Sequence, residues 1–490
     1  MKPNVILIMC DQMKANALDL YWGGGCSTPQ LRRLAEAGVL FEHAYTPHPL
    51  CVPARVSLWT SQYAHTTGAR RNETFMPEAS HHAFGLWKQA GYHTGLIGKN
   101  HCFSGSTDLD TFDTWCEISH RGLTGVRATK GMDWVRPVSA IRTAHETRNN
   151  MPWQTPELSH AVTDYPLEDY GTCLIAAQTE RFLQEHKGDP FCLWVSFPDP
   201  HEPYEVPRAY GELVEPETIE LPPWNPEALQ RAPERNRVLQ KMLGVSEENE
   251  MELKKAIAVH YGMIRLVDDA VGRIIRAVEE KGLRDNTIIV FCSDHGDFAG
   301  ERRMMVKGGV FFDCLTRVPL IISFPPAVPR GLRESALVSL IDIVPTVLSF
   351  QGIAAPDTMQ GKKLPFDPSS ERRRAVVSEY GAGGPPFTMD DLECAPKPFG
   401  YRTLIQSLRW REAEGRRKMI RMGDWKYVHD PKGDLDELYH MKKDPWELDN
   451  LANEPGHSDI VSSMKSQLLK WSIDTEDPLP VPLPDPELRL

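Results

Sequence analysis

In Cys51-Val52-Pro53-Ala54-Arg55 a thiol and a guanidinium stand one helical turn apart, on the same face. Pro53 suits the first turn of a helix, where a missing N–H costs nothing, and Val56-Ser57-Leu58-Trp59-Thr60-Ser61 continues it. Free backbone N–H groups, the positive end of the helix dipole and Arg55 would together make a pocket for a tetrahedral oxyanion. The competing reading is a buried, inert thiol, the commoner fate of a cysteine. Thiol-phosphatase chemistry is disfavoured, because its phosphate loop needs a longer spacer than the three residues between Cys51 and Arg55.

The elements that must position this group are short apolar runs: Val5 to Cys10, Thr94 to Gly98, Phe191 to Phe197, Thr287 to Cys292 and Val318 to Ser323. Separated by helix-compatible stretches such as Thr28 to Ala37 and Leu253 to Lys281, they predict a doubly wound α/β fold with a mainly parallel sheet covered on both faces. Ligands gather beyond the carboxyl ends of such strands. There the runs deliver Asp11-Gln12, Lys99-Asn100-His101, Asp199 with His201, and Asp294-His295-Gly296. Asp11, Gln12, Asp294 and His295 offer three oxygen donors and one imidazole, a set suited to one hard divalent cation. Alone, Asp294-His295-Gly296 reads equally well as a cap or turn; beside Cys51 and Asp11 the metal reading prevails.

Composition sets the outer bounds. The chain has 490 residues, 41% hydrophobic and 25% charged, and a formal net charge of -12, which argues against nucleic acid as a partner. Met1-Lys2-Pro3 runs into an apolar stretch too short for a signal peptide, and no segment approaches a membrane span. Ten scattered cysteines without C-x-x-C pairs favour reduced thiols and a cytoplasmic location. The texture changes near Glu371, which predicts a catalytic domain over 1–370 and a small α+β domain over 371–490. In the latter, Arg372 to Tyr380 holds a strand, Arg416 to His429 paired strands around Gly423-Asp424, and Ile460 to Ile473 a helix. The Pro-rich stretch Asp477 to Pro484 is extended, either a solvated tail or a strap across a neighbouring subunit of a homo-oligomer. Arg121 to Glu157 reads as an irregular loop over the site. His65 and the pair His81-His82 read as surface or satisfied histidines. Glu379-Tyr380, at the junction, reads first as a strand end and second as a contact for a substrate headgroup.

The C-x-P-x-R pattern resembles the signature of formylglycine-dependent sulfatases of the alkaline phosphatase superfamily, whose cysteine is oxidised after translation. Further matching pieces are Asn4 to Gln12, Gly91 to His101, the Asp199-Pro200-His201 turn, Ser293 to Asp297, Lys307, Val318-Pro319-Leu320, Asp342 to Thr346 and Ile420 to Val428. Two positions depart from the common pattern: Gln12 stands where many members carry Asp, and His295 where many carry Asn. The resemblance implies an alkaline-phosphatase-like large domain with a small antiparallel C-terminal sheet. It implies that Cys51 becomes formylglycine through a formylglycine-generating enzyme, and that Asp11, Gln12, Asp294, His295 and position 51 hold one cation, Ca²⁺ first, Mn²⁺ or Mg²⁺ as alternatives. Hydrated to a geminal diol and assisted by Arg55, position 51 would attack the sulfur of a small-molecule sulfate ester. Lys307 and His201 would hold the sulfate oxygens and help protonate the leaving alkoxide. Lys99 and His101 would flank the diol, and His101 would take the proton that lets sulfate depart. Asn72 stands at the spacing of an asparagine near the substrate oxygens in choline sulfatases and phosphonate monoester hydrolases; a turn role is equally compatible. Hydrolysis of phosphonate monoesters or phosphodiesters is the alternative activity, and a non-catalytic protein with unmodified Cys51 a third. Lys99 and His101, which phosphonate hydrolases tend to lack, favour sulfate.

Overall fold

The computed structural model describes residues 2–476 apart from 22–24, 79, 105–108, 121, 124–128, 152–157, 367–368 and 395–414. The strand Asn4–Cys10 runs through the middle of a large mixed sheet, and all seven of its residues are buried. Its side chains alternate between two separate cores: Val5, Leu7 and Met9 enter one, Ile6, Ile8 and Cys10 the other. Burial on both faces is why the strand reads as a continuous apolar run.

Phe191–Phe197 and Thr287–Ser293 flank the central strand in parallel. His93–Gly98 and then Thr114–Glu117 extend the parallel order on one side. On the other side Leu320–Ser323 runs antiparallel to Thr287–Ser293 and to Val39–Tyr45, which Leu332–Ser339 joins in parallel. The expected run Val318 to Ser323 is thus an antiparallel member, and Pro319, lacking an N–H for the ladder, divides it from Arg317–Val318. One face is covered by the long helix Glu250–Glu280 packed with Gly171–Glu185 and Pro29–Glu36. The other face receives Cys51–Thr60, Ala83–Gln89 and Ile343–Gln351, whose apolar side chains fill the first core.

A second, four-stranded antiparallel sheet joins Ala375–Tyr380, Arg417–Met422, Trp425–His429 and Glu437–His440. Met464 and Leu468 of the helix Ser458–Glu476 close its core against Val377, Ile420, Tyr427 and Leu438. The stretch Arg121 to Glu157 departs from expectation: Val138–Asn149 is helical, with Ile141, Ala144, His145 and Arg148 buried at i, i+3, i+4 and i+7. Two of those four are polar, so the stripe is invisible to a reading of apolar periodicity. The Pro-rich stretch Asp477 to Pro484 lies outside the described residues. No helix among the described residues is long and apolar enough to cross a membrane.

Candidate active site

Cys51 opens the helix Cys51–Thr60, and all ten residues of that helix are buried. The Val52 N–H, one of the orphan donors of its first turn, donates to Asn72 Oδ1 at 3.2 Å. Asn72 therefore serves the helix start in this structure, as a capping group brought in from 20 residues downstream.

Asp11, Cys51, Asp294 and His295 converge so that one ligand atom from each lies within 4.8 Å of all the others, every residue buried. Donors held about 2.3–2.6 Å from a Ca²⁺-sized ion can stand no more than about 5 Å apart, so the cluster has the dimensions of a coordination shell. The tautomer of His295 suits it as well. Its Nδ1–H donates to the Gly296 carbonyl at 2.9 Å, which leaves the Nε2 lone pair facing Cys51 Sγ at 3.1 Å. Burial pushes the His295 imidazole below its ordinary pKa and keeps it neutral. With two carboxylates and a neutral nitrogen turned toward one point, these residues fit a hard divalent cation.

Arg55 locks the carboxylates in place. Its Nε donates to Asp294 Oδ2 and its Nη2 to Asp11 Oδ2, both at 2.9 Å, while Nη1 reaches the Lys99 carbonyl at 3.1 Å and Ser196 Oγ at 3.0 Å. Lys99 Nζ forms a second ion pair with Asp11. Burial opposes ionisation of Asp11, but the cations Lys99 and Arg55 outweigh it and hold the carboxyl well below its usual range. The thiol moves the other way: burial, then the charge of Asp11, push Cys51 up to about 12. A thiol so shifted stays protonated near neutral pH and is a poor nucleophile.

A cationic arm closes the other side. Lys307 Nζ donates to Gln12 Oε1 and, at 2.9 Å, to His201 Nε2. His201 Nδ1 bonds the Glu202 carbonyl at 2.7 Å, and Arg148 of the unforeseen helix holds the His201 carbonyl at 2.9 Å. Burial works against the Lys307 charge, yet the carboxylates of Glu202 and Asp11 more than offset it and raise its pKa. Burial and then Lys307 lower His201, so the ammonium carries the charge of the pair. His101 has φ 54° and its buried Nδ1 has no hydrogen-bond partner among the described residues. Burial and then Lys99 push its pKa well down.

Three residues without an assigned role complete the arrangement. Gln12 Nε2 donates to Asp297 Oδ2 at 2.6 Å and to Glu202 Oε2 at 2.8 Å, which directs its Oε1 toward Lys307. The Tyr204 hydroxyl donates to Asp297 Oδ2 at 2.8 Å and accepts the Val306 N–H at 3.2 Å. Val306, β-branched yet at φ 61°, is the residue before Lys307, so this bond supports a strained turn that carries a site lysine. Asp297 stands in the matched Ser293 to Asp297 piece; Glu202 and Tyr204 have no sequence signal beyond closeness to His201. Of the histidines set aside, His65 is satisfied by Glu379 and the Thr475 carbonyl, and His82 Nδ1 accepts the Gly85 N–H at the start of Ala83–Gln89.

Fold and site together define a hydrolase of the alkaline-phosphatase-like class. The family profile described as Sulfatase matches residues 3–353. The choline-sulfatase of Rhizobium meliloti (strain 1021) is 29% identical over 479 residues, covering 93% of this chain and 83% of that protein. The arylsulfatase of Clostridium perfringens is 27% identical, with 96% of this chain and 94% of the relative covered. Among solved structures, the phosphonate monoester hydrolase of Agrobacterium radiobacter superposes with a TM-score of 0.76 at 24% identity, over 96% of both chains. The chain belongs to the sulfatase family, whose members hydrolyse sulfuric esters.

Proposed function

We propose that the protein hydrolyses a sulfate monoester to an alcohol and inorganic sulfate, with position 51 matured to formylglycine as the nucleophile. The observation that carries this is the convergence of Asp11, Cys51, Asp294 and His295 at the mouth of a helix, faced by Lys307 and His201. The high pKa of the Cys51 thiol supports it, since an unmodified thiol would be an inert centre for so elaborate a site. Formylglycine supplies a hydrated aldehyde whose second hydroxyl can release the product, which a plain thiol or alcohol lacks. A divalent cation among Asp11, Gln12, Asp294 and His295, Ca²⁺ first and Mn²⁺ or Mg²⁺ as alternatives, would supply Lewis-acid charge.

The chain's own residues do the rest. Arg55 fixes both carboxylates and adds positive charge beside position 51. Lys307 and His201 bind the sulfate oxygens and meet the charge that grows on the leaving oxygen, an interaction worth several kcal/mol in a dry site. His101, with a buried and unpartnered Nδ1, takes the proton released at position 51, and Lys99 stabilises the charge there. That no disulfide forms among the described cysteines supports a reducing, cytoplasmic setting.

The test is peptide mass spectrometry across Cys51 on protein co-produced with a formylglycine-generating enzyme, with sulfatase activity assayed on the same sample. Conversion to the aldehyde with a matching gain of activity is expected; a persistent thiol in an inactive sample overturns the proposal. Gln12 and His295 favour a second reading, phosphonate monoester or phosphodiester hydrolysis on the same nucleophile. A kcat/KM higher for a phosphonate than for the matched sulfate would select it.

A further inference from the structure

Beside the nucleophile helix lies a cavity of about 450 Å³, walled by Arg70, the end of Ala375–Tyr380, the start of Arg417–Met422 and the helix Ser458–Glu476. Its walls bring four cationic side chains, Arg70, Arg416, Arg417 and Lys418, against two carboxylates, Glu379 and Glu476. Glu379 is already engaged, by Lys418 at 2.8 Å and by His65 Nδ1 at 3.1 Å. Arg70 and Arg416 also line the cavity, and no carboxylate among the described residues lies within ion-pair distance of either. Leu469 and Ile473, 62% and 61% exposed, supply an apolar edge on the helix side.

Tyr380, one wall of the cavity, packs against sequence neighbours of site residues. The Tyr380 ring stacks on His48, three residues before Cys51, at 5.3 Å between centroids, and Arg417 lies 4.8 Å over the same ring. Gly309, two residues after Lys307, packs so close that a Cβ there would stand 2.8 Å from Tyr380 Cε1. Arg70 is two residues from Asn72, whose side chain holds the Val52 N–H.

We infer that this cavity is a subsite for a second anionic group of the substrate, a carboxylate or further sulfate carried on a ring whose C–H face meets Leu469 and Ile473. Two guanidiniums without an ion-pair partner among the described residues can recognise planar or tetrahedral oxyanions through paired N–H donors, and they remain charged at any physiological pH. The inference rests on the hydrolase reading for its substrate and adds that the favoured ester is polyanionic.

The test compares a sulfated disaccharide bearing one carboxylate with the same compound as its methyl amide, using the matured full-length protein. The expected result is a kcat/KM about tenfold to hundredfold higher for the carboxylate, the range of a charge-assisted hydrogen bond. Arg70→Gln and Arg416→Gln should each bring that ratio toward one, mainly through KM, and Arg70→Lys should keep part of it. Equal handling of both compounds by the parent protein, or a ratio untouched by both glutamine variants, overturns the inference. Should neither compound be hydrolysed, calorimetric titration with the two probes separates the claims. A binding preference for the carboxylate that Arg70→Gln abolishes upholds the subsite while the hydrolase reading falls; its absence removes the subsite.

Discussion

Two clusters of buried charge, built from the same residue types, have opposite logic. Where the small sheet meets the large one, Lys426 donates to Glu447 at 2.7 Å and to the Phe311 carbonyl at 2.9 Å and pairs with Asp313 at 2.5 Å. An ammonium has three N–H donors; two are spent in these hydrogen bonds and its charge is met by both carboxylates. At the end of the central strand, Arg55 Nε and Nη2 donate to Asp294 Oδ2 and Asp11 Oδ2, Lys99 lies in ion-pair contact with Asp11, and two backbone N–H groups meet Asp294 Oδ1. On the inner side the carboxylates and His295 Nε2 face one another with the Cys51 thiol between them. A cluster whose charges are met staples two sheets; a convergence of acceptors asks for a cation. Burial alone does not separate a structural charge from a functional one, whereas the balance of donors and acceptors does.

Cys51→Ala gives the largest effect expected of this division. It should lower sulfate ester hydrolysis by at least about a thousandfold, as loss of a covalent nucleophile does, while the melting temperature shifts little. A large loss of stability would mean that the catalytic cluster is structural after all. Lys426→Met should do the reverse, leaving Asp313 and Glu447 buried without their cation. About 3–5 kcal/mol of stability should be lost in urea titrations, with kcat of the folded fraction nearly preserved.

Tyr204→Phe tests the support beneath Lys307. It removes the acceptor of the Val306 N–H and a donor to Asp297, and should cost about 1–3 kcal/mol, with a fall in kcat that exceeds any change in KM. Glu447→Gln gives the smallest effect. Burial pushes the Glu447 carboxyl up from 4.5 to about 7, so between those values the folded chain keeps a proton that the unfolded chain has lost. Stability therefore falls as pH rises through that window, and the variant should show a flatter dependence of melting temperature on pH.

Much of the candidate site was legible because its residues follow buried strands, which read as apolar runs ending in polar groups. Asp11, Lys99, His201 and Asp294 all sit at such ends. The strand Val39–Tyr45 escaped, since Glu42 and His43 interrupt its apolar run, and those two residues are half-buried near the sheet edge. The helix Val138–Asn149 escaped because Arg148 and His145 occupy half of its buried stripe. Glu202 and Tyr204 were passed over as site residues because their partners lie far along the chain, at Gln12, Asp297 and Val306.

What the sequence alone determined is local: a thiol and a guanidinium one turn apart at a helix start, and apolar runs too buried on both sides to be anything but inner strands. Helical spacing and the alternation of a strand depend on neighbours within a few residues, so they survive without the rest of the molecule. Only the tertiary structure decided that Lys307 meets His201, that Asn72 holds the Val52 N–H, and that Arg70 and Arg416 share one cavity. Those meetings depend on the order and register of strands from distant parts of the chain, and the register is set by the packing of both cores together.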